Sequence, residues 1–164
     1  MLCYNTQMRY QYDNWTCGPC AVINAAEILG RKLALKRAIS AAKSSNSKGT
    51  SSKGIERAVK AAGLQCEKFK GNHTLLFKKT WKHSRKEKLR ACFNQVLFSV
   101  KSEPVIICVQ NDSHWVTAVG TINDKILVFD PVDGLYLISE QTFEGLIGKH
   151  VKTFIGIRVH KPSW

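Results

Sequence analysis

The chain has 164 residues, 44% of them apolar, with 7 Phe, 4 Trp and 4 Tyr, a composition that excludes a disordered polymer and suits one domain spanning residues 1–164. Its formal charge of +13 makes a surface that attracts acidic proteins, nucleic acid or anionic membrane, and charge alone chooses none of them. No apolar run reaches the roughly 18 residues that a membrane helix needs.

The opening MLCYNTQMRYQYDNW has no apolar core of a signal peptide. The expectation is a soluble protein of the cytoplasm, in its own cell or delivered to a host cytosol. Six cysteines stand at 3, 17, 20, 66, 92 and 108. Cys92 and Cys108 lie inside apolar patterns and read as buried free thiols, which favours a reducing compartment.

In chain order, the first element is a helix from Cys17 to Leu29. Ala21, Val22, Ala25, Ala26, Ile28 and Leu29 give it a broad buried face, and Gly30 stops it. Thr16 is placed to cap it, and Pro19 is tolerated in its first turn. SSNSKGTSSKG at 44–54 is a polar loop, followed by the short helix IERAVKAAG and a strand at LQCEKF. Nine basic residues run from Lys68 to Arg90 against the single acid Glu87. KEKLRACFNQVLFSV is a second strong helix, with Leu89, Cys92, Phe93, Val96, Leu97 and Val100 on one stripe.

Beyond Pro104 the pattern turns to sheet: VIICVQ, HWVTAVG, KILVFD, GLYLI and TFIGIRV, with a helix over SEQTFEGLIG. Short turn-like links make consecutive strands antiparallel. The expected class is α+β, an N-terminal helical part packed on a C-terminal antiparallel sheet in two layers.

WTCGPC at 15–20 admits two chemistries. A dithiol redox site needs Cys17 and Cys20 between a buried strand and a helix. The residues before Cys17 (YQYDN) make no such strand, and Thr16 separates Trp15 from Cys17. A hydrolase needs Cys17 alone, its negative charge stabilised at a helix start, and a base elsewhere. Of five histidines, His73 and His83 sit in the basic middle and read as surface residues, whereas His150 and His160 flank the last strand. His114 opens a core strand whose antiparallel neighbour closes on Asp130, so a tight turn near Asn123–Lys125 returns the carboxylate to the imidazole. The backbone N–H of Cys17 and the side chain of Gln11 are candidate donors to an oxyanion. Each has a plainer reading: a strand-edge His, a turn Asp before Pro131 and a surface Gln are common. Zinc binding by Cys17 and Cys20 with His73 or His83 lacks a second closely spaced ligand pair.

QYDNWTCGPCAVINAA, then HWVTAVG and VFDPVDG, together resemble the C39-like branch of the papain-like cysteine peptidases. The resemblance implies Cys17 as nucleophile, His114 as base, Asp130 as its orienting partner and Gln11 in the oxyanion hole. It covers nearly the whole chain and implies no cofactor. Two features depart from it. Many relatives that cut double-glycine leaders are N-terminal parts of membrane transporters, and this chain shows neither membrane helices nor an ATPase. Cys20 also replaces a residue that is often small. The expected activity is peptide-bond hydrolysis through an acyl-enzyme. Glutamine deamidation by the same triad and an inactive basic binding module are the alternatives. The expected partner is a protein or peptide with an acidic surface, and no motif supports nucleic acid.

Overall fold

The computed structural model describes residues 8–70, 84–110, 113–147 and 154–162. Much of the basic run therefore lies outside the described residues, as do the positions of His73, His83 and His150.

Three helices come first: α1 (Cys17–Ile28), α2 (Leu35–Ala42) and α3 (Ser52–Ala61). α1 ends where Gly30 takes φ +70°, the left-handed conformation that suits glycine. α2 is not among the expected elements, although Leu35, Ala38, Ile39 and Ala42 recur at helical spacing. Its buried residues are only Ala38 and Ala42, and its N-cap, Ala34, makes no side-chain bond, so the stripe is short and uncapped. α3 starts earlier than its apolar pattern, because Ser51 caps it by accepting from the Gly54 N–H at 3.2 Å. The tail of the polar loop is thereby the helix's first turn.

β1 (Gln65–Lys70) follows, then α4 (Arg85–Ser99). Ser84 and Glu87 close α4 with a reciprocal capping box, and Leu89, Cys92, Phe93, Val96 and Val100 are buried as expected. β2 (Val105–Val109), β3 (His114–Ile122), β4 (Lys125–Asp130) and β5 (Gly134–Ile138) form an antiparallel run. α5 (Glu140–Ile147) then leads to β6 (Ile155–His160). The β3–β4 turn has Asn123 at φ 48° and Asp124 at φ 58°, the two left-handed residues of a type I′ hairpin.

The α+β class holds, but the expected division does not. β1 lies between α3 and α4, α5 lies between β5 and β6, and the sheet order is β1-β6-β2-β3-β4-β5. Nor are there two layers. On one face Ile106, Cys108, Trp115 and Ile157 pack with α1, α2 and α3; on the other Ile107, Val116, Val128 and Phe154 pack with α4 and α5. The reason is visible in β2, VIICV, whose five residues are all buried. Successive side chains point to opposite faces, so a strand apolar at every position needs cover on both sides.

Candidate active site

The site forms where the start of α1 meets the sheet end at which β3 begins and β4 stops. Thr16 is the N-cap residue but makes no side-chain capping bond, contrary to its expected role. Asp13 organises the entry. Its Oδ1 accepts from the Trp15 N–H (3.2 Å), the Thr16 N–H (2.9 Å) and the Thr16 hydroxyl (2.7 Å). Cys17 is the first helical residue and is 5% exposed. The opening N–H groups of a helix have no intrahelical acceptor and favour negative charge nearby.

α1 is fastened to the strand bearing His114. The Thr117 hydroxyl donates to the Ala21 carbonyl at 3.0 Å, and the Trp115 indole N–H donates to the Thr50 carbonyl at 2.8 Å. A Cβ on Gly18 would stand 2.5 Å from Thr50 Cβ. Only glycine permits that approach.

His114 opens β3 and Asp130 closes β4, in a register that pairs Thr117 with Phe129. Asp130 Oδ1 lies 2.8 Å from His114 Nε2, with side chains 10% and 2% exposed. With Nε2 engaged by Asp130, Nδ1 is the ring nitrogen left for Cys17, whose nearness is felt in the imidazole's raised pKa. Burial pulls the His114 pKa down, but the bonds to Asp130 and Cys17 outweigh it and hold the value up at about 9. Burial likewise pushes Asp130 up, yet His114 and the Val132 N–H, donating at 2.7 Å, keep it below the ordinary carboxylate range. Tyr136 donates its hydroxyl to Asp130 Oδ2 at 3.5 Å.

Gln11 reaches this region through its backbone, whose N–H donates to the Pro131 carbonyl at 3.0 Å. Its side-chain Oε1 is buried without a hydrogen-bond partner among the described residues. The chain thus brings Cys17, His114 and Asp130 together, with Gln11 on the segment beside the Asp130–Pro131 turn. His160 lies in β6, two strands from β3, its Nδ1 3.0 Å from the Lys161 carbonyl oxygen.

Cys17 and Cys20 are free thiols. Cys20 has no exposed surface, burial pushes its pKa up to about 11, and its thiol donates to the Tyr10 carbonyl at 3.7 Å. That environment keeps Cys20 protonated and weighs against a dithiol exchange centre. Among the described residues no group of three His, Cys, Asp or Glu gathers as a metal site would need.

Sequence reasoning passed over Asp13, Asn24, Thr117 and Tyr136. Asp13, three residues before the N-cap, carried a readable Asx-turn signal. Asn24 and Thr117 act through contacts between distant segments, and Tyr136 reaches Asp130 across the β4–β5 turn; none of the three carried a signal.

A buried thiol at a helix start, an imidazole beside it and a carboxylate behind the ring, set on helices and one antiparallel sheet, define the class of papain-like cysteine peptidase folds. The chain belongs to the peptidase C39 family, whose model matches residues 5–147. No curated protein sequence matches it. Among solved structures it is similar to the peptidase domain of Streptococcus ComA, a bi-functional ABC transporter involved in quorum sensing. That likeness has a TM-score of 0.64 at 18% identity and covers 94% of this chain and 97% of the other. A double-glycine-motif protease from an AMS/PCAT transporter, solved with the leader peptide, gives 0.66 at 17% identity over 95% and 91%. A C39-like peptidase from Bacillus anthracis gives 0.65 at 11% over 98% and 96%. At such identities the likeness is one of fold.

Proposed function

We propose that residues 1–164 act as one cysteine peptidase domain that hydrolyses a peptide bond through an acyl-enzyme on Cys17. The observation that carries this reading is the buried 2.8 Å contact of His114 with Asp130, on a ring that also meets the first residue of α1. His114 takes the proton of Cys17, and the thiolate attacks the substrate carbonyl. The resulting oxyanion is held by the Cys17 N–H and the Gln11 side chain. His114 then protonates the leaving amine and activates water to release the acid. A ring pKa of about 9 keeps the imidazolium populated near neutral pH, which suits the proton-donating step. Asp130 fixes the ring's orientation.

The substrate is a protein or peptide with an acidic surface, because a chain of charge +13 repels basic partners. The leader peptide bound to the AMS/PCAT protease supports an extended segment over a single side chain. Among the described residues, Cys17, Cys20, Cys66 and Cys92 are thiols outside any disulfide, which goes with a cytoplasmic setting. Among the described residues, no helix is long and apolar enough to cross a membrane.

The test is capture from native cell extract with Cys17→Ala, followed by intact-mass analysis of the captured proteins after exposure to wild type. Fragments from a captured partner are expected. A partner left whole but heavier by about 1 Da would mean amide-to-acid conversion of a glutamine. Partners left unchanged, with Cys17 never acylated, would leave a basic binding module.

A further inference from the structure

The proposed mechanism does not use Asn24, yet this residue occupies a costly place. It sits fully buried on α1 among Ala21, Val22 and Ala25, at 0% exposure, where an apolar side chain would pack without needing partners. Its amide instead forms a reciprocal pair with the backbone of Arg9. Oδ1 accepts from the Arg9 N–H at 2.6 Å, and Nδ2 donates to the Arg9 carbonyl at 3.1 Å. One turn nearer the helix start, the Cys20 thiol donates to the Tyr10 carbonyl at 3.7 Å. The next residue, Gln11, ties its N–H to Pro131 at 3.0 Å. Three successive residues are thus stitched down, two onto α1 and the third onto the turn after Asp130.

The direction of this segment matters. From Arg9 to Tyr10 its anchors step from Asn24 to Cys20, up α1 toward Cys17. Asn24 and Cys17 are seven residues apart, about two turns, and so share one face of the helix. Continuing that course carries Gln11 to the level of the nucleophile. The buried Gln11 Oε1 has no partner among the described residues, so the backbone clamp is what holds this side chain in place.

We propose that Asn24 is a positioning residue that sets the place of Gln11, so that one helix both presents the nucleophile and locates the oxyanion donor. This rests on the reading of Gln11 as that donor. The experiment compares two reactions of Cys17 in the intact chain. With p-nitrophenyl acetate the thiolate adds to the ester carbonyl, the C–S bond forms, and p-nitrophenolate departs through a tetrahedral oxyanion. With iodoacetamide the sulfur displaces iodide at a saturated carbon, and no oxyanion arises. Both are followed at Cys17 by mass spectrometry.

Asn24→Leu is expected to slow acylation about tenfold while leaving alkylation near the wild-type rate. Gln11→Ala should also slow acylation, and the double variant should be no slower than Gln11→Ala alone, because Asn24 acts through Gln11. If Asn24→Leu does not fold, Arg9→Pro removes the N–H donor from the exposed side of the clamp and should give the same selective loss. Wild-type acylation in a folded clamp variant, equal slowing of both reactions, or multiplying losses in the double variant would each overturn the role of Asn24. Wild-type acylation by Gln11→Ala would instead remove the donor reading on which the proposal stands.

Discussion

At His114 two influences oppose each other, and the sign of the outcome sets a pH dependence. Burial disfavours the imidazolium, but the bonds to Asp130 and Cys17 prevail and raise the pKa from 6.5 to about 9. A folded-state value above the unfolded one means that proton binding favours the folded state. This stabilisation is complete below pH 6.5 and is lost as pH rises through about 9. The melting temperature should therefore fall across that window, and His114→Gln should flatten the fall. Turnover should decline on the same alkaline limb, because the ring loses the proton it gives to the leaving amine. Asp130→Asn should depress turnover by about a hundredfold or more by removing the charge that orients and stabilises the imidazolium. Alkylation separates the thiols: brief iodoacetamide treatment should label Cys17 ahead of Cys20 and Cys92, both held at about 11 by burial. Cys20→Ser should turn over nearly as wild type, since a hydroxyl can still donate to Tyr10. Loss of turnover in that variant would contradict the assignment of Cys17.

Among the elements, the junction of α1 with the loop before α3 is a tight one, and Gly18 is its limiting point. In a free helix Gly→Ala would gain up to about 1 kcal/mol. Here the new Cβ would stand 2.5 Å from Thr50 Cβ, so the loop must shift, at about 1–3 kcal/mol. The clash outweighs the propensity, and Gly18→Ala should lower the denaturation midpoint. Thr50→Ala should rescue less than Thr50→Gly, because the Cβ, the nearest of the three obstructing Thr50 atoms, remains in alanine. A midpoint equal to wild type would show that the loop gives way easily. The Trp115 indole bond to Thr50, 2.8 Å long, is the structural reason to expect otherwise, since it fixes the loop to the strand that carries His114.

For the molecule as a whole, 25 basic residues against 12 acidic ones make long-range attraction the first event with an acidic partner. Screening at physiological salt shortens its reach to about 8 Å. Capture of partners by Cys17→Ala should accordingly weaken as salt is raised, and the partners recovered should be mostly acidic. Predominantly basic partners would refute the electrostatic argument while leaving the chemistry of the cleft intact.

Local chemistry made several features readable from the residues alone. The helix from Cys17 followed from its apolar stripe and Gly30, and α4 from a stripe that survived its basic surroundings. The β3–β4 hairpin followed from strand patterns meeting near Asn123–Lys125, and that hairpin paired His114 with Asp130. Each signal spans a few residues and needs no knowledge of distant chain. Other features depended on segments far apart in sequence. The insertion of β6 between β1 and β2, the cover on both sheet faces and the bond from Thr117 to Ala21 are of this kind. So is the clamp of Asn24 on Arg9, which in sequence is one polar letter on an apolar helix face. A buried polar group is tolerated when its hydrogen-bond partners arrive, and only the folded chain decides which backbone arrives there.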